Sequence, residues 1–510
     1  MHPEIMQQRS TIASVPAPIG GWNARDPFEL MPETDAVELQ NLFPDSVDLK
    51  LRSGFREHAD GMGSGIVKTL FELVGQTGTR KLIACTNSKI YDATTFNSNA
   101  SDITGTTTPT DDQWQYVIYK GTAILVNGSD QPQQISSAAS VSDAAYTGVT
   151  DDADFIDVTV YRDRLYFVEK DTSSFWYTNS ANNLTGATTE FDLGRIFKNG
   201  GYLLWIANWT RESGSGADDL LVCCSNMGEI VIYTGANPGD SSWSLVSRFE
   251  IPIPLGIRSK FNVGGDLVVI TEQGVIPLST VLNAGAVASY AAYTDKIQRA
   301  FSSVAKYAGS NAGWEGLVYP RGRFIIINVP VNAGATYEQY VMNSLTGAWC
   351  KFTGQTAYTW ARYDSGLYFG GIDGKVYQAD YGTDDAGQAI QARMRQAYSY
   401  LGQRGRQKRI LMGAPLINAS DTITFSYDVD MDFERTSFGA PVTITGSSGT
   451  AWDSATWDVS SWGNANVKND EWYNLCGLGS AVSVKLSANI TGVDFTLNAN
   501  RIIFEAGGYL

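Results

Sequence analysis

Between about residue 65 and residue 383 one pattern keeps returning: an apolar strand, a polar turn, often with Gly, and a second short strand with an aromatic or aliphatic residue. It reads KLIACTNSKIYDA from Lys81, AILVNGSDQPQQI from Ala123, RLYFVEKDTSSFWYTN from Arg164 and LLVCCSNMGEIVIYTG from Leu220. It returns as LVVITEQGVIPL from Leu267, FIIINVPVNAGATYEQYVMN from Phe324 and LYFGGIDGKVYQAD from Leu367. The starts advance by roughly 40 to 57 residues, close to the ~40–50 of a four-stranded propeller blade and far beyond the 8–12 of simple hairpins. The repeat predicts an all-β fold, a β-propeller of about seven blades with insertions. A generic β-sandwich with regular hairpins is the alternative.

The flanks of the repeat set the domain plan. Residues 1–64 form an N-terminal arm with an assembly or propeller-closing strand, 65–383 the propeller, and 384–510 a C-terminal β-sandwich or jelly-roll-like domain. In the arm, Asp35 with Glu38 three residues on reads as a capping-box-like start to a short helix ended by Pro44. Val47, Leu49 and Leu51 then alternate with Asp48, Lys50 and Arg52, a strand with one wet face. In the C-terminal domain Ile423, Phe425, Tyr427, Val429, Met431 and Phe433 alternate with polar residues as one long strand. Within the repeat, Thr294 is expected to cap TDKIQRAFSSVAKYAG, a helix with Ile297, Ala300, Phe301, Val304, Ala305 and Ala308 on one apolar face and Gly309 at its stop. The 51 Gly and abundant Tyr, Phe and Trp suit strands and tight turns.

A formal charge of -16 and a pI near 4.6 argue against a protein whose main task is gripping nucleic acid. No run approaches the roughly 18 apolar residues of a membrane span, so no membrane insertion is expected, nor a signal peptide. Five cysteines without CxxC spacing predict reduced core thiols made in a cytoplasm.

Signatures of chemistry are sparse. GMGSGIVKT from Gly61 lacks the Gly-Lys-Thr junction of a phosphate loop, because Val67 stands before Lys68. With only His2 and His58, and no GxSxG, neither a Ser-His-Asp hydrolase nor a His-ligated metal is expected. No catalytic, cofactor-binding or metal residues are therefore assigned. Asp428, Asp430 and Asp432 share one strand face; without the turn and distal Glu of a calcium loop, that face reads as solvated or channel-lining. Arg393, Arg395, Arg404, Arg406, Lys408 and Arg409 form a basic cluster in an acidic chain, either a docking patch for an acidic partner or solvated strand faces. Trp452, Trp457 and Trp462, with Trp472, are either glycan-stacking rings or packing. Sialidase-type Asp boxes are absent, and no carboxylate pair stands out for glycoside hydrolysis.

Several stretches carry a resemblance: GGWNARDPFELMPETDAVELQNLFPDSVDLKLRSGF, DKIQRAF followed by GWEGLVYPRGRFIIINVPV, YVMNSLTGAWCKF, and LYFGGIDGKVYQAD. Together they resemble a family of bacteriophage virion proteins, similar to the tail nozzle of short-tailed phages. The resemblance implies a non-enzymatic structural protein of the virion, assembled in the host cytoplasm. It implies a homo-oligomer, a hexamer, whose ring continues the DNA channel below the portal-adaptor ring and meets a tail needle or fibre component. Double-stranded DNA would pass without specific binding, retained first and ejected later. On this expectation the basic cluster faces protein, and Asp428, Asp430 and Asp432, or acidic blade loops at Asp218 and Asp219, face the bore. A carbohydrate-recognising tail protein, or a propeller glycosidase, is the alternative.

Overall fold

The computed structural model describes residues 10–212, 217–284, 292–444 and 467–509. It divides into two compact units. The larger comprises Glu57–Glu338 and Thr356–Ala379. Seven innermost strands form its hub: Thr69–Val74, Gln115–Tyr119, Phe155–Tyr161, Leu203–Glu212, Lys260–Val263, Glu315–Tyr319 and Ala357–Tyr363. Each contacts the next except that Leu203–Glu212 meets the fifth blade through Asp266–Thr271, and the last contacts the first, so the ring is closed, and antiparallel hairpins extend each one outward. The chain is an all-β protein built on a seven-bladed propeller.

The apolar runs of the repeat follow from stacked blades. A strand between two blades must bury both faces, so Leu82, Ile83, Ala84 and Cys85 are all fully buried. Leu82 and Ala84 join the core shared with the last blade. Ile83 and Cys85 join the core shared with the second. Cys223 and Cys224 split in the same way between the cores on either side of the fourth blade.

The last blade is completed by the arm. Phe55–Asp60 takes the place beside Val376–Ala379, with Ser98–Asn99 pairing parallel outside it. His58 belongs to this closing strand: it is buried, its Nε2 lies 3.1 Å from the Ala93 carbonyl, and its ring meets Tyr368 edge-on at 4.9 Å. In the fifth blade, three strands are followed by the helix Leu278–Ala284. The helix expected after Thr294 runs Gln298–Ala308 behind a 3-10 turn at Asp295–Ile297, and buries Phe301, Ala305 and Ala308. Thr294 does not cap it; its hydroxyl accepts from the Val275 N–H at 3.1 Å.

The smaller unit gathers Met1–Arg56, Gln339–Gln355 and Asp380–Leu510. Its division departs from the sequence boundaries at 64 and 383, because the arm and a hairpin from the repeat cluster with the C-terminal segment. One sheet centres on Arg406–Ala419 and Phe495–Tyr509, the latter also pairing with Thr11–Pro16 and Leu49–Leu51. The other runs Trp349–Phe352, Asp35–Gln40, Ile390–Gln396, Val482–Ile490, Ile423–Met431 and Pro441–Ile444. They face each other as a sandwich: Phe425 and Tyr473 meet at 5.9 Å, and a Cβ on Gly413 would lie 2.8 Å from the Tyr427 ring.

Two expectations for the arm are corrected here. Asp35 opens a strand instead of capping a helix, because Asp35–Gln40 pairs with Ile390–Gln396, and tertiary pairing overrides the local cap signal. Arg52 does not face water. It is 3% exposed, forked onto Asp385 at 2.8 and 2.6 Å, and donates to Asn41 Oδ1 and the Thr353 carbonyl.

Candidate functional site

The charged residues singled out in the sequence lie in the sandwich unit, and the structure separates them. Asp428 and Asp430 sit two apart on one strand, opposite Lys485 on the next and Arg395 beyond. After Met431 the chain turns through left-handed Asp432 and Phe433, and Thr436 comes back over this face. Asp430 is thereby 1% exposed and Lys485 0%. Lys485 Nζ donates to Asp430 Oδ1 at 2.7 Å, and Arg395 pairs with the other oxygen while donating to Glu38 at 3.0 Å. Burial pushes the Asp430 carboxyl up, but the hydrogen bonds from Lys485 and Thr436 outweigh it and hold it below the usual carboxylate range.

Asp430 therefore cannot line a channel, and Arg395 cannot dock a partner: each neutralises the other inside the fold. Asp432 is exposed but occupied, accepting from the Ser480 and Ala481 amides at 2.7 and 3.0 Å. Asp428 is half-buried, 3.5 Å from Lys485. Lys408 is likewise removed from the proposed patch. It is fully buried, with its ammonium on the carbonyls of Gln403, Arg406 and Ser480 at 2.7, 3.0 and 2.7 Å. Arg404 and Arg409 are exposed, Arg404 pairing with Glu29, while Arg393 and Arg406 are half-buried. In the propeller, Asp219 lies on the strand Ala217–Ser225 rather than in a loop, and accepts from Thr210 at 2.8 Å; Asp218 is on the same strand. Trp452, Trp457 and Trp462 lie outside the described residues. Trp472 is half-buried beneath the Arg501 guanidinium, 5.2 Å away.

A second constellation escaped the sequence reading. The propeller axis holds a cavity of about 1130 Å³, walled by innermost strands of blades two to six. Charged residues stand just ahead of these strands or early in them. Asp157 is 2% exposed and accepts from the Ile206 N–H at 2.9 Å and from the Lys260 ammonium. Arg258 leaves the fifth blade and donates to the Lys68 carbonyl, Thr69 Oγ1 and the Trp114 carbonyl, each at 2.8 Å, and to Thr359 Oγ1 at 3.3 Å. Those partners belong to the first, second and seventh blades, so the guanidinium reaches across the axis and bars it. Glu315 Oε2 accepts from Thr359 Oγ1 at 2.9 Å and the Trp360 N–H at 3.0 Å.

Burial raises the Asp157 and Glu315 carboxyls, against the opposing pull of Lys260 and Arg258 respectively. What these groups do most visibly is tie blades together. The available signal was positional: Asp157 in FIDVTVY, Arg258 and Lys260 in GIRSKFNV and Glu315 in GWEGLVY occupy comparable places in their repeats, but only an alignment of blades reveals it.

No family model and no curated protein matches the chain. Among solved structures it is similar to the WD40 β-propeller domain of Doa1, at 9% identity and a TM-score of 0.38, covering 64% of this chain and 96% of that one. It is also similar to Raptor from Chaetomium thermophilum, at 8% identity and a TM-score of 0.39, covering 64% of this chain and 29% of that one. The propeller assignment rests on the chain's own strand order and its closed ring of innermost strands.

Proposed function

We propose that the protein is a structural virion protein of a bacteriophage tail, a nozzle subunit without turnover chemistry. Identical copies, six of them, assemble into a ring below the portal-adaptor ring and above a needle or fibre component. The observation that carries this reading is the path of the arm. Thr11–Pro16, Asp35–Gln40, Leu42–Pro44 and Leu49–Leu51 are strands of the sandwich, and the same arm then supplies Phe55–Asp60 to the last blade. Tying the start of the chain into both units suits a part that carries load. The stretches resembling phage virion proteins include this arm.

The bore is assigned to the space enclosed by the copies, since Arg258 lies across the propeller's own axis. Each copy brings a formal charge of -16, which disfavours adhesion of DNA to the wall. Exposed Arg404 and Arg409 are left to face protein neighbours, the Arg395 and Lys408 charges being internal.

Electron microscopy of intact particles tests the reading. A ring of copies beneath the adaptor is the expected result; the chain at a fibre tip or inside the capsid overturns it. Release of sugars from host surface polysaccharide, abolished by substituting one carboxylate, would instead favour a propeller glycosidase.

A further inference from the structure

The axial cavity holds groups that the blade ties do not use. Gln115 lines the cavity, and among the described residues no group of the protein pairs with its side-chain amide, which is open to that space. An amide open to the cavity can both donate to and accept from a ligand held there. Asn208 adds a buried Oδ1 without a partner, and Glu315 spends only one of its two carboxylate oxygens. Two aromatic rings join them. Tyr116 is 41% exposed and lies on Phe71 at 4.3 Å, and Phe261 covers Gly316 so closely that a Cβ there would lie 2.3 Å from its ring.

We propose that this cavity binds a small, neutral, polyhydroxylated ligand, a monosaccharide or the end of a short oligosaccharide. Amides and a carboxylate oxygen offer the mixed donors and acceptors that vicinal hydroxyls require, and aromatic faces suit the C–H face of a sugar ring. An anion is disfavoured because both cations are already engaged, Lys260 by Asp157 and the Ile206 carbonyl, Arg258 by four acceptors. A strongly cationic ligand is disfavoured because Arg258 and Lys260 share the wall. The volume, slightly above the ~300–1,000 Å³ of sites for drug-sized ligands, admits more than one sugar ring. The proposal stands apart from the virion role and holds whether or not the chain builds a ring.

The test titrates the full chain with glucose, galactose, N-acetylglucosamine, maltotriose and dextran, alongside spermidine and glucose 6-phosphate, read by saturation-transfer NMR and tyrosine fluorescence. Saturable binding of a neutral saccharide at millimolar concentration or below is expected, weakened at least tenfold by Gln115→Ala with thermal stability unchanged and by Tyr116→Ala in protein that remains folded. Maltotriose binding with dextran excluded points to a free sugar, and dextran binding to the ends of a polymer. Should Gln115→Ala disturb folding, Asn262→Ala provides the same comparison, because Asn262 is exposed and also lines the cavity. Binding of only the charged probes, no binding by any probe, or binding untouched by these substitutions overturns the proposal.

Discussion

Single side chains carry more of this fold than their neighbours in the sequence suggest. Arg52 and its partner Asp385 are 333 residues apart, and Thr353, which also accepts from Arg52, is 301 away. Removing one member of such a buried pair strands the other charge, at a cost of about 3–5 kcal/mol. Arg52→Ala should therefore lower the stability read by urea unfolding by that amount, and Arg52→Lys should recover little of it because a lysine cannot fork onto a carboxylate. A loss under ~1 kcal/mol would show that water already solvates the site. Asp430 adds a pH signature. Its carboxyl is held low in the folded state, so its contribution is present above the ordinary carboxylate value of about 4 and disappears as pH falls through the folded value. Asp430→Asn should be less stable at neutral pH, yet lose less than the parent between about pH 4 and pH 2, a comparison made by urea midpoints at each pH.

The repeating strands were readable because blades stack face to face and burial on both sides leaves continuous apolar runs such as LIAC at Leu82 to Cys85. Charged alternation was not: Asp430 and Arg52 sit at positions that read as wet, and are buried because a distant segment covers them. The closing blade offers a test at this scale. Gly374 has φ +78°, and a Cβ there would lie 2.0 Å from the Gly63 carbonyl. Gly374→Ala should cost more than ~1 kcal/mol and lower the melting temperature, since both the backbone conformation and the close approach exclude a side chain. The neighbouring Lys375–Glu57 pair, 2.6 Å but solvent-exposed, serves as the contrast. Lys375→Met should move stability by no more than ~1 kcal/mol. Equal effects from the two substitutions would mean that the turn is not held against the backbone at Gly63.

For the whole molecule, charge is the property most open to measurement. A chain of net -16 should not bind duplex DNA with micromolar affinity at physiological salt. Titration across a salt series checks this; micromolar binding, weakened by Arg404→Ala or Arg409→Ala, would place the remaining basic residues against phosphate instead of protein. Charge reversal by Arg404→Glu with Arg409→Glu should leave the melting temperature nearly unchanged, since both are surface positions, while reducing incorporation into particles counted by microscopy. Unaltered incorporation would remove these residues from any interface.

Composition and period were enough to specify an all-β chain with about seven repeating sheets, because strand alternation, turn residues and blade length are local properties of consecutive residues. The long strand at Ile423–Met431 and the helix at Gln298–Ala308 were legible for the same reason. Only the tertiary structure decided which segments share a unit, that Arg258 bars the axis while Gln115 faces it unpaired, and that Arg395, Lys408 and Asp430 are interior charges. Whether a charge is solvated depends on what the rest of the chain lays over it, and burial of an ion is tolerated only where partners from remote segments arrive together. That convergence has no local trace in the order of residues.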